Sequence, residues 1–347
     1  MKLKEIAELA GVSPSAVSLV LKQKRGVGRE KREEIMKLLV ENGYTVDAST
    51  ISTSKPQYKT IRFLKLKSHA KLVDGNFGFI SAIIDAVEKE CRKRDYILLI
   101  ATCDVNKISE VKDLILSNPT DGLLILGTEL NNSTAIDLLS DIDIPAVIID
   151  NPMPMLQYNC ITMNNEEAIY SSVNHLIDLG HTSIGFLANN MPANNCLIRF
   201  KSFYNACAEH GLQVDDSNIY YVAPTPEGAY TSIKEMLVDG RTFPSALVAN
   251  NDSIALGTMK ALKEFGYRIP EDISVIGFDS IPYSSISDPP LTTIEVPCSD
   301  IGIWAVRLLL DKIKFPSSAV TKMLISTNLI VRNSTAPYNN NARKNEY

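Results

Sequence analysis

The sequence lacks most of the marks of enzymes and exported proteins. Its six cysteines (Cys91, Cys103, Cys160, Cys196, Cys207 and Cys298) are scattered, with no CxxC pair. That spacing excludes a zinc ribbon or a dithiol redox motif and suits reduced cytosolic thiols. The four histidines, His69, His175, His181 and His210, stand too far apart for metal-ligand spacing. There is no GxGxxG, no P-loop and no GxSxG, so neither a cofactor nor a catalytic residue is expected. No apolar run approaches the ~18 residues of a membrane span. The opening residues, MKLKEIAELAG, alternate charges and lack the apolar stretch of a signal peptide. A cytoplasmic protein with no membrane partner is expected.

What is present is enough for two or three domains: 347 residues, 45% of them apolar. The net charge of −5 argues against nucleic acid until its distribution is read. Residues 1–60 hold eleven Lys/Arg against seven Asp/Glu, an excess of four, which leaves the remainder nine charges negative. A basic head on an acidic body is expected when only the head meets phosphates.

The stretch LKEIAELAGVSPSAVSLVL, residues 3–21, reads as two short helices across a tight turn. Ile6, Leu9 and Ala10 recur at helical spacing and give the first helix an apolar face. Gly11 ends that helix, since glycine takes the left-handed cap conformation without a Cβ penalty. Ser13 is a good N-cap, and Pro14 suits the first helical position, where its missing N–H costs nothing. Ala16, Val17, Val20 and Leu21 form the buried face of the second helix. Pro14, Ser15, Ser18, Leu19 and Lys22 are left to the outside. This is the pattern of a helix-turn-helix, whose second helix enters a major groove. A basic loop, residues 22–28, and a third helix, Arg29 to Asn42, complete the head.

Residues 47–58, DASTISTSKPQY, read as a linker. From Thr60 short apolar runs alternate with amphipathic helices, predicting parallel sheets with helices on both faces and two similar lobes divided near residue 160. Ligands in such folds sit at the carboxyl ends of the strands. A long helix is expected over 300–313 and a final strand over 323–331.

The head motif, the ENGY that closes its third helix, and the later stretches HLIDLGHTSIGFLAN, IRFKSFYNAC, ALVANNDSIALGTMKALKEFGYRIPEDISVIGFD and DPPLTTIEV together resemble the LacI/GalR family of bacterial transcription regulators. The resemblance spans about residues 2–333. It implies an all-α helix-turn-helix head, residues 1–46, a hinge, 47–59, and an α/β periplasmic-binding-protein-like body of two Rossmann-like lobes, 60–333. In that frame the N-lobe holds about 60–159 and 290–320, the C-lobe about 160–289 and 321–333, and 334–347 is a disordered tail. It also implies a repressor acting as a homodimer on near-palindromic double-stranded DNA. The dimer would form through the first body helix and the helix near 253–265, under control of a small effector held between the lobes.

Carried over residue by residue, the resemblance places DNA contacts at Ser13, Pro14, Ser15, Ser18, Leu19, Lys22, Arg25 and Arg29. Leu19 departs from the family, which usually has an arginine there. A leucine cannot bond guanine bidentately and can at most touch a thymine methyl. The hinge departs further. Thr53 falls where the family inserts a leucine into the minor groove. Either Ile51 is that wedge in a shifted register or the chain does not kink DNA in this way, and the Ser/Thr content favours the second.

Arg199, Asn251 and Asp279 match effector-contacting positions, with Asp150 and Phe77 as weaker candidates and Phe79 as either pocket or core. Asp252 reads as the N-cap of the following helix. Asp150 and Asn151 could equally make only a turn before Pro152. The default effector is a sugar or sugar derivative. Ala223-Pro224-Thr225-Pro226 stands where several sugar-responsive members carry an aromatic platform, which weakens that default. The alternative is a solute-binding protein of the periplasmic type, which would have no use for a helix-turn-helix.

Overall fold

The computed structural model describes residues 3–21, 27, 29–42, 44, 59–67, 73, 77–118, 120–191 and 193–339. The chain divides into two compact units, residues 1–58 and 59–347.

In the first unit, α1 spans Leu3–Leu9, α2 Pro14–Leu21 and α3 Arg29–Glu41. Ile6, Ala7, Ala10, Val17, Val20, Ile35 and Leu39 are buried together as its core. Leu9, expected on the apolar face of α1, is instead 62% exposed, because the helix turns the small side chains Ala7 and Ala10 inward. Gly11 takes φ +60°, where a side chain would be strained. That turn lets the Val12 amide donate back to Ala7 O at 2.9 Å.

The second unit holds two six-stranded sheets. Strands β1 (Lys59–Lys67), β2 (Tyr96–Asp104), β3 (Gly122–Leu126), β4 (Ala146–Ile149) and β5 (Asn159–Met163) belong to the first. Strands β6 (Ile184–Asn189), β7 (Ile219–Val222), β8 (Ala246–Ala249), β9 (Ser274–Asp279) and β10 (Thr292–Glu295) belong to the second. Two short C-terminal strands, β11 (Lys322–Ile325) and β12 (Asn328–Ile330), join the first and second sheets respectively. The first sheet, in order β11-β5-β4-β3-β1-β2, is wholly parallel. The second runs β12-β10-β9-β8-β6-β7, and only β12 is antiparallel to its neighbour.

The helices between strands are α4 (Phe77–Lys93), α5 (Ile108–Ser117), α6 (Asn132–Leu139), α7 (Asn165–Asp178), α8 (Asn194–Glu209), α9 (Pro226–Val238), α10 (Asp252–Glu264), α11 (Pro282–Ile286) and α12 (Cys298–Lys314). Fully buried strands such as β3 and β8 read as unbroken apolar runs because helices cover both faces. One apolar cluster runs from Ile61 and Phe63 through Ile149 and Met163 to Phe186 and Phe278, so the two lobes share a continuous core.

The chain crosses between lobes three times, and the crossings differ from the expected bounds. β5 lies in the first sheet and precedes the crossing at residue 164, so 160–163 stay with the N-lobe. β10 still belongs to the C-lobe, and the return begins with α12, which packs on the N-lobe against Ala86 and Val87 of α4. The single strand expected over 323–331 is two strands in different sheets. An apolar run shows that a segment is a buried strand, but its partner is chosen by hydrogen bonding at a distance.

The tail expected to be disordered from 334 is instead stitched to the C-lobe as far as residue 339. Ser334 is fully buried; its Oγ accepts from the Thr292 amide at 2.8 Å and donates to Val275 O at 2.6 Å. Ala336 O accepts from His181 Nε2 at 3.1 Å, while His181 Nδ1 pairs with Ser245 Oγ at 2.9 Å. The Tyr338 amide donates to Leu179 O at 2.8 Å. These bonds are polar and aperiodic, so an apolar pattern gave no sign of them. Ser334→Ala leaves the Thr292 N–H and Val275 O without this partner in a dry site. It should lower unfolding stability by about 1–3 kcal/mol, read by chemical denaturation; an unchanged midpoint would remove the tail from the C-lobe's stabilising contacts.

Candidate effector site and DNA-reading helix

In the body, the carboxyl ends of both sheets meet across a chain of buried polar groups. It begins in the N-lobe at Thr128, whose Oγ1 donates to Asp150 Oδ2 at 2.6 Å. Asp150, just past β4, accepts from Asn195 Nδ2 of α8 at its Oδ1 (2.7 Å) and at its own carbonyl (2.9 Å). Asn195 Oδ1 accepts from Asn165 Nδ2 at 3.0 Å, and Asn165 Oδ1 accepts from Arg199 Nε at 2.7 Å. Arg199 Nη1 donates to Asn250 O at 2.6 Å, and Nη2 lies 3.9 Å from Asp279 Oδ1. The guanidinium stacks on Phe278, 3.5 Å from the ring centroid. Beside this chain, Asn194 Nδ2 donates to Asn151 Oδ1 at 2.9 Å, and Asn151 Nδ2 holds Gly127 O and Leu130 O, both at 2.8 Å.

Burial governs the electrostatics. Asp150 is 4% exposed, and desolvation pushes its carboxyl up to about 7, against the opposing pull of the Thr128 hydrogen bond and the Arg199 charge. Asp252, fully buried, is likewise raised by desolvation to about 7, although Ser284, Thr293 and the Ile281 amide all donate to it. Burial also raises the thiols of Cys196 and Cys298, the latter to about 12. Gly277 makes room for Asp252: a Cβ there would stand 2.0 Å from its Oδ1.

Arg199, Asp279 and Asp150 therefore converge. Arg199 lies in the second turn of α8, which begins at Asn194, four residues before the IRFKSFYNAC run. Asn251 lies beside the group and is half-buried, but its Oδ1 accepts from the Ile254 amide at 2.9 Å. Asn251, and not Asp252, is thus the N-cap of α10. Asp150 and Asn151 do more than turn the chain, since both bond across to α8. Phe79 is core, 4% exposed. Phe77 opens α4 and its side chain lies outside the described residues. Pro224 is buried and Thr225 caps α9, its Oγ1 accepting from Gly228 N at 3.1 Å, so this loop presents a helix start and no aromatic ring. The residues that sequence reasoning missed are Thr128, Asn165, Asn194, Asn195 and Asn250. Paired asparagines at the strand-to-helix junctions of 164–165, 194–195 and 250–251 were the available signal.

In the head, α2 starts as its sequence indicates. Ser13 Oγ accepts from the Ala16 amide at 3.3 Å and lies 2.8 Å from Ser15 Oγ. Ser13, Pro14 and Ser15 are exposed, Ser18 and Leu19 half-buried, and Val17 and Val20 fill the core. Lys22, Arg25 and Ile51 lie outside the described residues, as does the side chain of Arg29.

A capped helix-turn-helix joined to a two-sheet body with a polar interlobe junction defines a DNA-binding transcriptional regulator of the ligand-responsive type. Comparisons with known proteins agree. Residues 2–47 match the family model for bacterial regulatory proteins of the lacI family, and residues 173–335 match a periplasmic binding protein-like domain. The HTH-type transcriptional repressor PurR of Pasteurella multocida is 30% identical over 335 residues, covering 96% of this chain and 98% of the relative. The ribose operon repressor of Haemophilus influenzae is 30% identical over 334 residues, with the same coverage. The Lac repressor dimer bound to operator and the anti-inducer ONPF has the same fold, with a TM-score of 0.73, 24% identity, and 97% and 99% of the two chains covered. A LacI-family regulator from Enterococcus faecium with bound ribose gives a TM-score of 0.68 at 25% identity, covering 81% of this chain and all of that one. This chain belongs to the LacI family. It is a DNA-binding regulatory protein, not an enzyme, and among the described residues no helix is long and apolar enough to cross a membrane.

Because the Asp150 carboxyl is raised to about 7 by burial, the folded protein holds that proton more tightly than the unfolded chain does. The cost of the buried charge is complete above about 7 and fades as pH falls toward the ordinary carboxylate range. Asp150→Asn should therefore be more stable than wild type at pH 8, with the gain shrinking steadily to pH 4. Denaturation at a series of pH values checks this, and a gain that does not vary with pH would count against it.

Proposed function

We propose that this chain acts in the cytoplasm as a homodimeric repressor. It binds near-palindromic double-stranded operator DNA through its head. Its operator affinity is set by a small polar effector, a carbohydrate by first choice, held where the two lobes meet. The observation that carries the reading is the buried polar chain from Thr128 to Asp279, which runs from one lobe into the other within a protein that also carries a capped recognition helix.

Base reading falls to the exposed start of α2, Pro14 and Ser15, and to Leu19. Ser13, Ser18, Lys22, Arg25 and Arg29 serve the phosphates. Ile51 is the one large apolar residue in the hinge stretch from 47 to 54 and is the candidate wedge if the hinge enters the minor groove. In the body, Asp150 and Asp279 accept from ligand hydroxyls and Asn251 offers its amide. Arg199 is engaged by Asn165, Asn250 and Asp279, so its part is to orient those acceptors. Phe77 stands at the N-terminal end of α4 as a candidate ring platform. The ribose operon repressor and the ribose-bound regulator among its relatives support a carbohydrate. The second copy is met by α4 and α10, with exposed Tyr283 and Ile286 of α11, which Ser284 ties to Asp252 of α10, adding apolar surface. The solute-binding alternative leaves the head without a purpose.

Selection from random duplex DNA tests the reading. The wild-type protein should enrich an inverted repeat, and its affinity should fall steeply with salt. Leu19→Arg should shift the preferred base at one symmetric step to guanine, with discrimination of about 1–3 kcal/mol. Failure to enrich any repeat would overturn the operator reading. A thermal-shift screen against sugars, sugar phosphates and nucleobases, repeated with Asp279→Ala, then locates the effector; a hit that survives the substitution would place it outside the junction.

A further inference from the structure

Three of the side-chain bonds that run from lobe to lobe in the junction start from the first turn of α8; beside them Arg199 Nη2 reaches Met163 Sδ of β5 at 3.8 Å and Asn165 Nδ2 reaches Met163 O at 3.4 Å. Asn195 Nδ2 reaches Asp150 Oδ1 and O, and Asn194 Nδ2 reaches Asn151 Oδ1. Asn195 and Asp150 are both buried, at 7% and 4% exposure. Each end is held by its own lobe. On the N-lobe side, Thr128 fixes Asp150, and Asn151 is tied to Gly127 O and Leu130 O. On the C-lobe side, Asn195 is fixed by Asn165, which Arg199 holds in turn. Neither asparagine caps the helix: the N-cap position is Ala193, which makes no side-chain cap bond. The side-chain Nδ2 groups of both are thus committed to the opposite lobe, while Asn195 Oδ1 stays bonded to Asn165 of its own lobe.

We propose that Asn194 and Asn195 form a direct latch that holds the two lobes closed on each other. Taking the junction as the effector site, which rests on the reading above, an incoming effector competes with this latch for Asp150 and must replace its bonds. Effector affinity is then set partly by what the latch contributes. The latch itself needs no effector and is tested without one.

The test is hydrogen exchange read by mass spectrometry on the full-length protein, comparing wild type with Asn194→Ala/Asn195→Ala. Opening the latch should speed exchange about tenfold on both sides, in residues 127–130 and 150–156 of the N-lobe as well as 189–197 of the C-lobe. That factor is what about one net hydrogen bond of ordinary strength represents, so it is the least that losing three should give. The central strand β8 should be unchanged. Faster exchange confined to α8, or no change, would overturn the latch and leave the asparagines a local role.

If the double variant fails to fold, Asn195→Asp supplies an independent arm. The charged groups facing that position are Asp150, Arg199 and Asp279, with the thiols of Cys196 and Cys298 nearby. At pH 8 the new carboxylate repels Asp150 and should open both sides relative to wild type. At pH 5 a shared proton restores a donor, and the variant-to-wild-type ratio should return toward one. A ratio that is the same at both pH values would overturn the proposal.

Discussion

The body depends on one buried guanidinium. Arg199 reaches the first interlobe crossing through Asn165, the end of β8 through the Asn250 carbonyl, and the end of β9 through Asp279, while its flat face lies on Phe278. A planar cation with five donors is the one side chain that can serve three directions and still stack. Burying that charge is costly, and the cost is met by short hydrogen bonds to an amide oxygen and a carbonyl and by the Asp279 carboxylate. The strand ends that would form the effector site are thereby held to one another before any ligand is considered.

The same region holds the backbone in unusual conformations. Asp150 has φ +61°, Asp279 φ +105° and Ser280 φ +51°, all in the region that favours glycine. Each such residue costs on the order of 1–3 kcal/mol and persists only where its surroundings over-determine it. At Asp150 the surroundings are Thr128 and Asn195; at Ser280 the adjacent Ile281 amide is held by Asp252. The left-handed backbone at Asp150 and Asp279 turns the chain sharply at the ends of β4 and β9, and both carboxylates lie within electrostatic reach of Arg199.

The fold was largely legible before the structure. Gly11, Ser13 and Pro14 mark the turn and start of the recognition helix by local chemistry, and they do so in the folded head. Apolar runs located β3, β4 and β8, which are buried along nearly their whole length and are too short for helices. The site was only partly legible. Asp150, Arg199 and Asp279 were named individually, while the asparagines that join them were not. An asparagine at a strand-to-helix junction looks like a cap, and Asn251 is one; Asn195 looks the same in sequence and instead crosses to the other lobe. Asp252 was taken for a cap when it is a buried hub for Ile281, Ser284 and Thr293, residues roughly thirty to forty positions away.

Local pattern, then, determined the helix-turn-helix, the alternation of strand and helix, and the basic head on an acidic body. These rest on short-range physics: periodicity, capping and charge within one segment. The tertiary structure decided which sheet each strand joins, where the chain crosses between lobes, that residues 334–339 bind the C-lobe, and which asparagines cap and which reach across. Those outcomes depend on partners tens to hundreds of residues distant. A hydrogen bond to such a partner leaves no periodicity in the chain that makes it.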